Sequence, residues 1–141
     1  MDDIQQRIAS SFAAQGLMET LNAKLVLVAD GEVQIALPFS KHLSQQHGYI
    51  HAGAVTSVVD SACGYAALTT APPGSEVVTA EFKINFMRPA LGERFLAVGK
   101  VQSAGKSLCV CTGEVRAFAS DDAQYKVVAL MQATVVYVAP R

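Results

Sequence analysis

Asp60 is the only charged residue in the run from Gly53 to Ala71, where every other side chain is small, apolar or hydroxyl-bearing. A helix apolar on nearly every side belongs in a core, and a lone carboxylate there is costly unless it is paired or put to chemical use. His47-Gly48-Tyr49-Ile50-His51-Ala52-Gly53 leads into this helix. The first turn of a helix offers unpaired N–H groups and the positive end of the helix dipole. The amides of Ala52 and Gly53 are therefore placed to form an oxyanion hole, holding the charge that develops on a carbonyl oxygen under attack. Asp60 can supply that attack, either as a general base on water or as the nucleophile itself. The competing role for Asp60 is a plain hydrogen bond to a neighbouring backbone group.

Spacing constrains how these groups can meet. Gly53 and Asp60 are seven residues apart, which is about 10 Å along a helix at 1.5 Å per residue. A reacting carbonyl and its attacking group must lie within ~3–3.5 Å. One helix cannot easily bring both to one carbonyl, whereas two antiparallel copies side by side can. The sequence therefore predicts a homodimer with two shared sites. Ser57 and Ser61 lie on the same helix with no histidine at a spacing that makes a triad, which argues against a serine nucleophile. Cys63 reads as core packing, and His47 and Tyr49 as loop or pocket-lining residues. The three histidines have no cysteine or carboxylate partner at ligand spacing, so no metal site is expected.

The elements that must position these residues follow from periodicity. Ile4, Ile8, Phe12 and Leu17 recur at helical spacing, predicting an amphipathic helix over 3–16 that ends at Gly16. Lys24–Ala29 and Glu32–Pro38 read as two strands joined by a hairpin at Asp30-Gly31. A polar segment, Ser40–His47, precedes the central helix at about 53–70, which Pro72-Pro73-Gly74 stops. Val78, Ala80, Phe82, Ile84 and Phe86 alternate with polar residues, predicting a strand with one buried face. Strands at Arg94–Gln102, Ser107–Ala119 and Tyr125–Val138, separated by turns at 103–106 and 120–124, suggest an antiparallel meander. One long helix and about six strands predict an α+β fold, with the sheet curled around the helix and burying it on most sides.

At 141 residues the chain is read as one domain, 1–141, with a sizeable core. About half of it is apolar, 16% is charged and the net charge is −1, which excludes a disordered chain and argues against nucleic acid as the partner. Cys63, Cys109 and Cys111 make no even disulfide set and read as free thiols in a reducing compartment. Met1-Asp2-Asp3 is acidic where a secretory signal is basic, and the apolar run carries Asp60 and two glycines. A cytoplasmic protein with no membrane partner is the expectation.

His51-Ala52-Gly53 followed by Asp60, nine positions after the histidine, resembles the H-G-G-x6-D signature of hotdog-fold acyl-CoA thioesterases of the phenylacetate-pathway type. Asn85-Phe86-Met87-Arg88-Pro89-Ala90-Leu91-Gly92-Glu93 resembles the aromatic, Pro and Gly-Glu stretch of the same family, and Gly105-Lys106-Ser107 its G-K-[ST] turn. The similarity spans about residues 40–138. Ala52 departs from the signature's first glycine, but alanine serves if only its backbone N–H is used. The resemblance implies a hotdog fold and hydrolysis of an acyl-CoA by a homodimer, paired into a homotetramer. It implies no cofactor, since coenzyme A is part of the substrate. It also implies supporting roles for Gln45 and His51 near the thioester carbonyl and for Thr79 in orienting the hydrolytic water. His51 has a loop-capping alternative. Strict alternation puts Thr79 on the face of Glu81 and Lys83, away from the helix, so a bulge or strand end is needed to reconcile the two.

Two rival functions fit the same fold: a non-catalytic acyl-CoA-binding domain, and a hydratase or dehydratase in which His51 and Asp60 move a proton. A buried carboxylate beside an acyl chain has no purpose in a pure binder, and the histidine signatures of the hydratases are missing. Val55, Val58, Val59, Tyr65 and Leu68 suit a medium-chain or aromatic acyl group, although core packing asks for the same residues. Lys83, Arg88 and Lys106 are the candidate contacts to the coenzyme A phosphates.

Overall fold

The computed structural model describes residues 3–120 and 123–140. The acidic start at Met1 and Asp2 and two residues of the predicted turn at 120–124 lie outside these. The chain runs α1 (Asp3–Ala14), α2 (Gly16–Thr20), β1 (Lys24–Ala29), β2 (Glu32–Pro38), a helical turn at Lys41–Leu43, α3 (Ala52–Leu68), β3 (Glu76–Phe86), β4 (Arg94–Ala104), β5 (Leu108–Phe118) and β6 (Lys126–Val138). Gly16 does not simply end the first helix; it opens α2, which buries Met18 and leaves Leu17 exposed. The β1–β2 hairpin turns at Asp30-Gly31, where Gly31 takes a φ of 77° that favours glycine.

All six strands form one antiparallel sheet in the order β1-β2-β4-β5-β6-β3. The predicted meander is present for β4, β5 and β6. Between β2 and β3 the chain crosses the sheet as α3, so β3 pairs with β6 at the far edge. This is the α+β hotdog arrangement: a long helix laid across an antiparallel sheet. Val33, Ile35, Phe95, Cys111, Val115 and Val135 supply much of the inner sheet face, and Val55, Val58, Val59, Ala62 and Cys63 fill it from the helix. Each of those buried valines contributes about 1.5–3 kcal/mol.

Two glycines set how closely α3 can sit. Gly99 of β4 and Gly113 of β5 stand directly opposite one another. A Cβ at Gly99 would come within 2.5 Å of the Ala62 backbone, and one at Gly113 within 2.5 Å of Val59 Cγ2 and 2.9 Å of Cys63 Sγ. The pair forms a notch in which the helix rests directly on the sheet backbone.

Two expectations need correction. The sheet covers only one side of α3 within a chain, because all six strands lie in a single layer. Thr56, Ser57, Asp60, Ser61 and Gly64 form a half-buried stripe, so Asp60 is half-buried rather than sunk in the core. β3 likewise has no single alternating buried face. The register with β6 slips between Thr79 and Glu81, a β-bulge at Ala80. Val77 and Thr79 are half-buried on the near side of the bulge and Ile84 beyond it, while Val78, Phe82 and Phe86 stay 57%, 44% and 48% exposed.

Candidate active site

The entry to α3 is folded by its own backbone. The His51 amide donates to Leu43 O at 2.8 Å, the Gln45 amide to Tyr49 O at 2.8 Å and the Ile50 amide to Ala90 O at 3.1 Å. His51 is the helix N-cap, and its ring Nδ1 accepts the Gly53 amide hydrogen at 2.8 Å. The capping role is thus realised. A neutral imidazole that accepts at Nδ1 carries its proton on Nε2, which leaves a donor facing outward. The Gly53 amide is committed to this cap, whereas the Ala52 amide makes no hydrogen bond among the described residues. Gln45 Oε1 accepts from the His47 amide. Because a backbone N–H can only donate, that contact orients the side chain with its NH₂ free. Gln45, His51 and Ala52 line one cavity of about 340 Å³ together with Tyr49, Phe86 and Arg88. Donors of this kind around a cavity at a helix N-terminus suit a carbonyl oxygen that gains negative charge.

Asp60 lies on the half-buried stripe of α3, two turns along from this cavity. Thr79 Oγ1 donates to Asp60 Oδ1 at 2.9 Å. The bulge at Ala80 makes this possible: one extra residue reverses the facing of the strand, so Thr79 turns toward the helix while Glu81 and Lys83 stay on the outer face. One carboxylate oxygen is thereby held and the other left open. Asp60 and Thr79 border a second cavity of about 210 Å³ that reaches Ser11 of α1, Gln15 at the α1–α2 junction and Tyr65 of α3.

The thiols near Asp60 are not nucleophiles. Cys63, Cys109 and Cys111 are fully buried, with Cys109 Sγ and Cys111 Sγ 3.7 Å apart. Burial above all, then the negative charge of Asp60 and the Cys109 thiol, push the Cys63 thiol up to about 12. Burial and its thiol neighbours raise Cys111 too. Both therefore remain protonated at neutral pH.

The three basic candidates separate. Arg88 lines the 340 Å³ cavity and also a larger one of about 690 Å³ beside it, where Lys126 and Tyr125 join it. Lys83 faces a cavity on the other side of the sheet, with Glu81, Thr112 and Gln132. Lys106 sits in the β4–β5 turn, at the end of the sheet away from the α3 N-terminus. Within one chain only Arg88 reaches the pocket at Ala52. Sequence reading passed over Lys126, Ser11 and Gln15. A basic residue at a strand start and polar residues four apart on an amphipathic helix look like ordinary surface until the fold places them.

A family model described as the Thioesterase superfamily matches residues 47–122, from the His47 loop through α3 and past the end of β5. The chain belongs to the Thioesterase superfamily. It is an enzyme that hydrolyses thioesters, and this sets aside both the non-catalytic reading and the hydratase reading. The thioesterase is 40% identical to a thioesterase family protein from Silicibacter pomeroyi, with a TM-score of 0.92 and 96% of this chain and 98% of that one covered. It is 30% identical over 111 residues to a candidate esterase of Saccharolobus solfataricus, covering 78% of this chain and 79% of the other. The E. coli PaaI protein from the phenylacetic acid degradation operon, 20% identical, shares the fold at a TM-score of 0.86 over 97% of this thioesterase and 94% of that chain.

Proposed function

We propose that the thioesterase hydrolyses acyl-CoA thioesters carrying a medium-chain or aromatic acyl group. In this reading the carbonyl oxygen is held by the Ala52 amide, the Gln45 NH₂ and the outward Nε2–H of His51. The Gly53 amide joins them if the ring cap releases it. Asp60 serves the oxygen nucleophile, by taking a proton from water or by attacking to give an anhydride that water then opens. The carbon–sulfur bond breaks, the acid leaves as a carboxylate and coenzyme A leaves as its thiol. Thr79 orients the carboxylate and the water beside it. Arg88 takes a coenzyme A phosphate, with Lys83 and Lys106 as further contacts only if a second subunit brings them near.

The observation that carries this reading is the 2.9 Å hydrogen bond from Thr79 to a half-buried carboxylate that has no cationic partner among the described residues and lines a cavity. A carboxylate held at one oxygen and open at the other is poised for reaction rather than used as a brace.

The active unit in this reading is a dimer in which the β3 strands of two copies pair. β3 is an eleven-residue edge strand with Val78, Phe82 and Phe86 exposed, followed by exposed Met87. A long apolar edge of this kind pairs with another strand if nothing blocks it. Antiparallel pairing here would set two α3 helices side by side and bring the N-terminus of each toward Asp60 of the other. Pairing of such dimers into a tetramer is part of the same proposal. The test is a panel of acyl-CoA substrates with detection of released thiol, varying chain length and aromatic content. Turnover of hexanoyl- to decanoyl-CoA or of arylacyl-CoA is expected. Release from none of them, with simple thioesters still cleaved, would sink coenzyme A as the carrier.

A further inference from the structure

The cavity of about 690 Å³ beside Arg88 has no part in the chemistry at Asp60. It shares Tyr49, Arg88, Pro89 and Val128 with the cavity of about 340 Å³ at Ala52, so the two form one continuous space. None of the residues around the cavity at Asp60 lines either of them. A thioester carbonyl at Ala52 therefore has this space for one of its two arms. Backbone fixes the rim: the Glu93 amide donates to Phe118 O at 2.8 Å, and a Cβ on Gly92 would meet the same oxygen at 2.8 Å. The loop between β3 and β4 is thereby seated on the end of β5.

The walls decide which arm. Tyr125 is held by a ladder of rings and guanidinium groups. Arg94 lies 3.9 Å from the centre of the Phe118 ring, that ring 5.5 Å from the Tyr125 ring, and Arg116 4.7 Å from the centre of Tyr125. Arg116 is fixed in turn by donating to Glu114 Oε2 at 2.8 Å. Arg116 does not line the cavity, so the ring surface that meets the cavity is the part the guanidinium leaves bare, and Tyr125 is 45% exposed. A rigid ring bare on one side is a platform for another flat ring. Lys126 stands opposite buried Ala117, on the sheet face that carries α3. Arg7, Lys100 and Arg116 each have a carboxylate partner, whereas Arg88 and Lys126 form no ion pair among the described residues. Two unpaired cations around a bare aromatic surface suit phosphate groups attached to a planar base, not an acyl chain.

We propose that this cavity seats the nucleotide end of coenzyme A, with the adenine on Tyr125, the 3′-phosphate on Lys126 and the diphosphate on Arg88, so that the enzyme selects its thiol carrier by the nucleotide. This rests on the acyl-CoA thioesterase reading above and adds to it the residues that read the carrier. The start of β6, which takes no part in the chemistry, is then what separates coenzyme A from shorter pantetheine thiols.

The experiment compares kcat/KM for one acyl group, hexanoyl or phenylacetyl, whichever turns over faster, on coenzyme A, on 3′-dephospho-coenzyme A and on pantetheine. It uses the parent protein, Lys126→Gln, Tyr125→Ala and Tyr125→Phe. In the parent, loss of the 3′-phosphate should lower kcat/KM by about tenfold or more, the scale of one hydrogen bond to a charged group, and through KM rather than kcat. Loss of the remaining nucleotide should lower it by about a further tenfold, the scale of one stacked base. Lys126→Gln should bring the first ratio toward one and Tyr125→Ala the second. Tyr125→Phe keeps the ring and should keep the second ratio. Damage to the fold lowers all three substrates together and leaves both ratios as they were. A ratio that its variant leaves untouched therefore overturns the proposal, and so does a parent that treats the three carriers alike, while the thioesterase reading stands. Absence of turnover with all three carriers, for both acyl groups, refutes the acyl-CoA reading itself, and the proposal with it.

Discussion

Asp60 and Thr79 show how far a single residue can be read before the fold is known. The carboxylate stood out because it was alone in an apolar run, and the structure places it on the stripe of α3 that the sheet leaves uncovered. Thr79 was legible only as a condition, since period-two alternation put it on the wrong face and nothing in Val78-Thr79-Ala80-Glu81 announces a bulge. The chemistry assigned to the pair predicts an ordering of effects. Asp60→Asn should lower kcat by at least ~10²-fold, the scale of a lost general base or nucleophile. Thr79→Ala removes one hydrogen bond to that group and should cost about tenfold. Near-normal turnover in Asp60→Asn would remove Asp60 from the reaction, and an equally large loss in Thr79→Ala would mean that Thr79 does more than orient the carboxylate. The thiols give a prediction about pH. The unfolded chain loses the Cys63 proton from about pH 9, whereas the folded chain keeps it to about 12. The folded state binds more protons between these values, so stability falls as pH rises through that window. Urea unfolding on either side of about pH 9 should show the decline, and Cys63→Ala should flatten it.

At the scale of elements, the order of strands and helix could be read because hydrophobic periodicity and turn residues carry that information locally. The seating of α3 on the sheet could not. It depends on Gly99 and Gly113 facing each other across β4 and β5, and each alone reads as an unremarkable strand glycine. A side chain at Gly99 would meet the Ala62 backbone, which cannot move aside as a flexible side chain can. Gly99→Val should therefore destabilise the fold by about 1–3 kcal/mol or more, the range for forcing atoms into a packed interior. A Tm lowered by several degrees would report it. It should also lower kcat, because the same contact fixes the depth of Asp60. Gly16→Ala, at a position open on all sides, should be neutral or slightly stabilising. A Gly99 variant as stable as the parent would mean that α3 is not held by this notch.

The whole molecule remains the least legible scale, because one chain cannot say what its edge meets. What the sequence does supply is a length: about 10 Å of helix between the two groups that one carbonyl needs together. The exposed β3 edge and the open stripe on α3 are the two faces that a second copy would cover. If the sites are shared, two inactive proteins should restore each other. One is Asp60→Ala; the other replaces Ala52 with proline, which removes its N–H, and Gly53 with valine, whose side chain crowds the His51 ring at the helix start. A mixed dimer then has one site with both defects and one with neither. At equal mixing about half the dimers are mixed, so roughly a quarter of the parent activity should return. If Asp60 and the α3 N-terminus instead served one carbonyl within a chain, every site in the mixture would carry one defect and no activity would return. Subunit exchange has to be shown separately, by mass measurement of differently tagged copies. With exchange established, a silent mixture means that a single chain closes the 10 Å gap, and the shared-site mechanism falls.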